Sequence, residues 1–472
     1  MSKKEDFSAA SLDKISELPQ DSFQGTIDEF HSLLNNTLQG YHDRKLRINE
    51  FKLRFLELYD SESVSLLEKS ILIAIHMGVK TFHLHTNIYH FSRAVFEAES
   101  FIELSLKGCR YLHTNIYHLP CAVFEAESFI QLSLMGCGLD HDKAIMFKHL
   151  KVLKLFDVYI AETTFQRIIS SCPLIEDMEL VECEGLRSIN VNDLKNLHRF
   201  YFVYYDVRES WIEWGVTNLE SITICSCTNW FQLHRLKEFP NLKYLSLTKV
   251  NLSGISLYHF MWYFPSLENL KFSNCYGFEE IDIMSDSIQY ISLKGINKSI
   301  KARIDAPKIL SFEFSGSIPP TLSFAKTYTM SKSDIRLDLD DASSLLWLKL
   351  SEMLTRLSYH DQKLRINAFE LRFPELDYES VSLLEKWIPI LIHMGIKELH
   401  LDIRRDTNGE TKYWEPRIRM AKRFEGVSLN VFDDDLFEWR PLNETSLRKC
   451  ALPDDGFDHE VRFQLKWKEA EP

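Results

Sequence analysis

The residues of this chain best equipped for chemistry are histidines in a repeated heptad, a close cysteine pair and several runs of acids. Leu-His-Thr-Asn-Ile-Tyr-His occurs twice and places His85 with His90 and His113 with His118. Imidazoles at short spacing in neighbouring copies suit a metal ion, but a liganding histidine is normally oriented by a carboxylate, and none accompanies these. Copied sequence carrying copied histidines explains the pattern, and no metal is expected. Cys225 and Cys227 would share one face of a strand, with no second pair at ligand spacing. Asp340–Asp341 and Asp433–Asp435 are adjacent carboxylates of the kind that solvated surfaces carry. A Gly-rich phosphate loop, an HExxH helix and a GxSxG elbow are all absent from the sequence. No catalytic residue and no cofactor is expected, so the chain is read as a non-enzyme whose function lies in a surface.

Bulk properties narrow the kind of surface. A net charge of −13 argues against nucleic acid or an anionic membrane as the main partner. The N-terminus, MSKKEDFSAASLDK, lacks the apolar core of a secretory signal, and no stretch reaches the ~20 apolar residues of a membrane span. Nine scattered cysteines, several inside predicted strands, read as reduced core thiols. The expectation is a soluble protein of the cytoplasm, the nucleus or both.

The elements that would build the surface follow from one unit, Phe239–Leu252 (FPNLKYLSLTKVNL). Leu245 and Leu247 alternate as in a short strand burying every second side chain. The unit recurs at Phe264–Phe272, Ser100–Leu106 and Cys172–Leu180. Alternation centres fall at 82, 104, 132, 153, 178, 200, 222, 245, 270, 291 and 312. Every interval lies within the roughly 20–29 residues of a leucine-rich repeat, a unit that stacks so that neighbours share one core. The fold class is therefore α/β: a leucine-rich-repeat solenoid, or horseshoe, with a parallel inner sheet and irregular helices or loops outside. Helical spacing is visible over Ser63–Met77, with Gly78 as C-cap, and over Ala161–Ser170, where Phe165, Ile168 and Ile169 share a face. Tyr41–Phe55 reads as a strand with a bulge.

Two duplications divide the chain further. His83–Cys109 and Tyr111–Cys137 match at 21 of 27 positions, as expected of a tandem copy of one repeat. Tyr41–Tyr59 recurs at Tyr359–Asp377 with 14 of 19 identical, followed in both places by ESVSLLEK. The expected organisation is a polar segment (1–30), a cap (31–80), the solenoid (81–330), a duplicated cap (344–401) and a charged tail (402–472). Strand periodicity predicts a continuous sheet to about 314.

In such strands the residues between the buried leucines face outward on the concave side. Candidate protein-binding residues are Phe156, Tyr201, Tyr244, Ser246, Thr248, Asn269, Lys271, Tyr290 and Ser292. Aromatic anchors in a polar surround are the composition of binding hot spots.

Cys172–Leu180 with Cys183 (CPLIEDMELVEC), Ala306–Gly316 (APKILSFEFSG) and the stretch from Leu46 to Lys80 resemble the plant F-box/LRR-repeat proteins over roughly residues 31–330. Disease-resistance-like leucine-rich proteins share repeats but not the Cys-Pro-Leu-x-Glu hallmark. Asp13–Gln20 (DKISELPQ) is similar to the opening of that family's F-box, with Ile15, Leu18 and Pro19 as the adaptor-binding remnant. After Pro19 the chain runs into QDSFQGTIDEFHSLLNNTLQ, which resembles the linker that normally follows the F-box. The resemblance implies substrate recognition for an SCF-type ubiquitin ligase, with a protein substrate, an Skp-type adaptor and a cullin as partners. The truncated F-box implies the alternative, a stand-alone repeat scaffold or a decoy that has lost the adaptor.

Overall fold

A computed structural model describes, with single residues missing, 50–55, 61–86, 102–107, 119–139, 145–204, 211–215, 218–226, 238–253, 256–296, 301–316, 321–324, 333–339, 366–373, 398–404, 427–433, 438–441 and 460–467, with a few isolated positions besides. Asp13–Gln20, His90, His113, His118 and Cys227 lie outside the described residues, as do 45–48 of the strand expected over Tyr41–Phe55. The described part of that strand is Glu50–Phe55, and Asp43 and Arg44 are helix and turn instead. The chain divides into two compact units, Met1–Asn218 and Leu219–Pro472.

The first unit contains β1 (Glu50–Phe55), β2 (Thr81–Thr86), β3 (Glu103–Lys107), β4 (Gln131–Met135), β5 (Val152–Phe156), β6 (Asp177–Val181), β7 (Ser188–Asn190), β8 (Arg199–Tyr204) and β9 (Trp211–Glu213). Strands β1 to β6 and β8 form a parallel ladder in chain order. Register keeps like with like: Phe82, Leu104, Leu132, Leu153, Met178 and Phe200 stand in one line, all buried. Phe51 opens that line and stacks on Phe82 at 5.8 Å between centroids. Strands β7 and β9 pair separately, also in parallel. Helix α1 (Ser61–His76) returns from β1 to β2, and it stops where Gly78, at φ +80, donates its N–H to Ile75 O. Helix α2 (Cys121–Glu125) precedes β4. Helix α3 (Glu162–Ser171) buries Phe165, Ile168 and Ile169, the face its spacing predicts.

The second unit contains β10 (Ser221–Ser226), β11 (Tyr244–Thr248), α4 (Leu257–Met261), β12 (Asn269–Ser273), β13 (Glu280–Met284), β14 (Tyr290–Lys294), β15 (Lys301–Asp305), β16 (Ser311–Gly316), β17 (Thr321–Phe324), β18 (Ser333–Leu339), β19 (Ile366–Phe373), β20 (Glu398–Arg404), β21 (Val427–Asp433), β22 (Glu438–Pro441) and β23 (Glu460–Trp467). Its main ladder runs parallel through β10, β11, β12, β14, β16, β18, β19 and β20. Strand β23 then pairs antiparallel with β20, β21 with β23, and β22 with β21. A second parallel sheet, β13–β15–β17, is built from the return segments. Leu245, Leu270, Ile291, Phe312, Ile335, Phe369 and Leu399 are fully or almost fully buried along one register line. All eleven alternation centres read from the sequence fall inside strands of the two ladders.

The parallel ladder runs past residue 314. Ser311, Asp334, Ala368 and Glu398 are successive register partners along it. From Asp334 to Ala368, and again from Ala368 to Glu398, the chain takes longer returns than the roughly 20–29 residues that reveal the earlier repeats. Strand β19, from the second copy of the duplicated segment, pairs with β18 on one side and β20 on the other.

Six turns out of ladder strands share one device. The residue just after β4, β5, β6, β11, β12 and β14 (Gly136, Asp157, Glu182, Lys249, Asn274 and Gly295) is left-handed, with φ between 50 and 69. In five of them the N–H of this residue donates sideways to a carbonyl at the end of the next ladder strand, as from Asp157 to Val181 O at 2.7 Å and from Lys249 to Ser273 O at 2.8 Å. Left-handed backbone costs an L-residue roughly 1–2 kcal/mol, here offset by a hydrogen bond that ties successive repeats. One residue further on, the buried thiols of Cys183 and Cys275 donate back to Leu155 O and Leu247 O at 3.5 and 3.3 Å. Burial pushes Cys183 up to about 12 and Cys275 up to about 11. These thiols are structural rather than nucleophilic.

Candidate functional site

Alternation turns the residues between the core positions outward on each ladder, and the register decides which of them meet. In the second unit, three consecutive strands give a three-by-three grid. Tyr244, Asn269 and Tyr290 form its first line; Ser246, Lys271 and Ser292 its second; Thr248, Ser273 and Lys294 its third. All nine stand at positions that the alternation turns outward, and seven of them are among the candidate binding residues read from the sequence.

The grid is polar, aromatic and sparse in charge. Tyr290 is 43% exposed, and Lys271 is also exposed. Ser246 and Ser292 are almost covered, because short side chains in the middle line lie between taller neighbours. Lys271 stands at the centre, with its Nζ 5.3 Å from the centroid of the Tyr244 ring. A cation over an aromatic face at that distance is an attractive contact that still leaves ammonium protons for other partners. Lys294 differs, because its Nζ lies 3.0 Å from Glu313 Oε1. Ser292 donates to Glu313 Oε2 at 2.8 Å. Burial raises the Glu313 carboxyl, but the hydrogen bonds from Lys294 and Ser292, with the charges of Lys294 and Arg336, outweigh it and hold the group below its ordinary value.

Beyond the grid, charges alternate in sign across the strands. Glu313, Arg336, Glu370 and His400 follow one register line through β16, β18, β19 and β20. Arg336 Nε donates to Glu370 Oε2 at 2.5 Å, Arg372 lies 3.8 Å from Asp338, and His400 lies 3.1 Å from Glu398.

Phe156 and Tyr201 belong to the first unit and do not share a line. Phe156 stands in register with Met135, Val181 and Val203, an apolar line along the strand ends. Tyr201, 37% exposed, is in register with Glu179, whose carboxylate pairs with Lys154 at 2.7 Å. Asp177 lies 3.4 Å from Arg199 and is raised by its own burial, with Arg199 acting against that rise.

One surface escaped the sequence reading. Tyr258, His259 and Trp262, on and just after α4, contact one another edge to face at 5.1 to 5.4 Å, and Trp262 is 62% exposed. The run YHFMWYF from Tyr258 to Phe264 is the signal for it. Among the described residues no three His, Cys, Asp or Glu side chains converge as a metal set, and no helix is long and apolar enough to cross a membrane.

Residues 95–214 match the family model of the FBD-associated F-box protein At5g56370, LRR repeats, and residues 218–359 match that of At1g61320/AtMIF1, LRR domain. No curated protein matches the chain. Ladder register, repeat spacing and both matches agree: the chain is a leucine-rich-repeat solenoid protein, and its repeats mark it as a protein-interaction module.

Proposed function

We propose that this chain recognises a partner protein on the outward face of β11, β12 and β14, and presents it as the substrate-recognition subunit of an SCF-type ubiquitin ligase. The observation that carries the recognition half is the grid around Lys271. It offers an exposed tyrosine, hydroxyls and an amide, with no carboxylate among its nine residues. Aromatic residues flanked by hydrogen-bonding groups are what hot spots are made of, and few fixed charges means little desolvation cost on docking. Support for the ligase half is the F-box name of the family model matching 95–214 and the likeness of Asp13–Gln20 to an F-box opening.

The second reading, a repeat scaffold or decoy without an adaptor, is favoured by the linker-like sequence directly after Pro19. Mixing the full chain with a purified Skp-type adaptor at micromolar concentration separates the two. Co-elution through Ile15, Leu18 and Pro19, lost in Leu18→Asp, supports the ligase role. Clean absence of a complex removes it and leaves the scaffold. In either case, deletion of 1–30 is expected to leave partner binding on the grid unchanged.

A further inference from the structure

We propose that Lys271 receives a carboxylate from an acidic segment of the partner protein, making the grid a reader of acidic rather than neutral or phosphorylated sequence. The inference rests on the reading of this face as the partner surface and gives that surface a chemical preference. Eight residues surround Lys271 in register, and none is acidic: Tyr244, Asn269, Tyr290, Ser246, Ser292, Thr248, Ser273 and Lys294.

The nearest carboxylate along its line is Glu313, two strands away. That group is already held by Lys294 and Ser292. Elsewhere on this ladder the outward cations Lys294, Arg336 and Arg372 each have a carboxylate within 4 Å, while Lys271 has the Tyr244 ring. A cation kept on an exposed protein-binding face, with hydroxyl and amide donors around it, is complementary to one carboxylate.

Phosphate fits less well. At neutral pH it carries roughly −1.5 to −2 charges and is usually met by several cations or a planar arginine fork. Among the described residues, the grid supplies one ammonium not held by an acid, and no arginine. A carboxylate also matches the neutral surround, since only one unit of charge needs compensation.

The test is selection of a random twelve-residue peptide library on the intact chain, followed by affinity measurements with the selected peptides. Circular dichroism checks that each variant keeps the wild-type fold. The expected result is enrichment of Asp or Glu at one position and about a tenfold loss of affinity in Lys271→Met, the scale of losing a hydrogen bond to a charged group. Lys301→Met, an exposed lysine on β15 of the second sheet, serves as control and should change nothing. Reversal should rescue: Lys271→Glu is expected to bind the peptide whose acid is replaced by lysine.

Selected peptides without an acidic preference, or binding equally well to Lys271→Met, would overturn the carboxylate assignment. So would stronger binding of the phosphoserine version than of the glutamate version. If these peptides still lose affinity in Tyr244→Ala and Tyr290→Ala, the face remains a protein-binding surface and only the charge preference fails. Binding that is indifferent to every grid substitution removes both.

Discussion

Strands β11, β12 and β14 and strands β16, β18, β19 and β20 lie in one parallel ladder over one continuous core, yet they present different outward surfaces. The first set shows tyrosines, hydroxyls, an amide and a cation stacked on a ring. On the second set, Glu313, Arg336, Asp338, Glu370 and Arg372 are paired across neighbouring strands. Exposed pairs of this kind contribute little each, about 0–1 kcal/mol, but they leave few groups unsatisfied for an incoming protein. In a repeat array the buried positions are constrained by the neighbouring repeat, while the outward ones are free to vary. Binding potential therefore follows the outward residues, and the shared core says nothing about it.

The largest expected effect lies beneath both surfaces. Leu247 and Leu337 are fully buried under the first and second stretch respectively. Either one replaced by alanine should lose about 2–5 kcal/mol in denaturant unfolding. Similar losses would show that the two stretches differ in surface alone; a far smaller loss at Leu337 would mean that the core is not shared evenly.

Glu313 sits where the two surfaces meet, and Glu313→Gln is expected to cost about 1 kcal/mol by removing the charged acceptor of Lys294 and Ser292. The folded carboxyl lies below its ordinary value of 4.5, so its ionised form stabilises the fold above that pH. This contribution disappears as pH falls below 4.5 and the folded group takes up a proton. Unfolding curves across that range should be steeper in pH for the wild type than for Glu313→Gln.

Smaller effects belong to the turns. Gly295 follows β14 at φ +64, and an added Cβ would collide with Asn274 Oδ1. Gly295→Ala is expected to cost about 1–2 kcal/mol in thermal unfolding. At the equivalent position after β11, Lys249→Gly relieves the same left-handed strain at the expense of a more flexible unfolded chain, so its change should stay within about 1 kcal/mol.

Much of this was legible in the sequence. Leu245, Leu247, Leu270 and Phe272 announce strands because their alternation is regular, and every other residue between them had to face outward. The late repeats were less legible, because the longer returns before β19 and β20 break the spacing. The left-handed turn position was hidden by its residues, since Gly, Asp, Glu, Lys and Asn share no side-chain property a pattern search would collect. Alternation also assigns a face but not a line on it. Phe156 and Tyr201 share one expected face, yet register sets them on different lines of the first unit. That the register neighbours of Lys271 are not acidic was illegible for the same reason: Ser246 and Ser292 each lie a whole repeat away in sequence.

The central claim is that partner binding belongs to the carboxylate-free grid and not to the ion-paired stretch. The most direct measurement compares the affinity of library-selected peptides for the intact chain with two double variants, Tyr244→Ala with Tyr290→Ala, and Arg336→Ala with Arg372→Ala. The account predicts about a tenfold or greater loss in the tyrosine variant, as for hot-spot truncation, and less than about a twofold change in the arginine variant. Loss confined to the arginine variant, or equal losses in both, would contradict it.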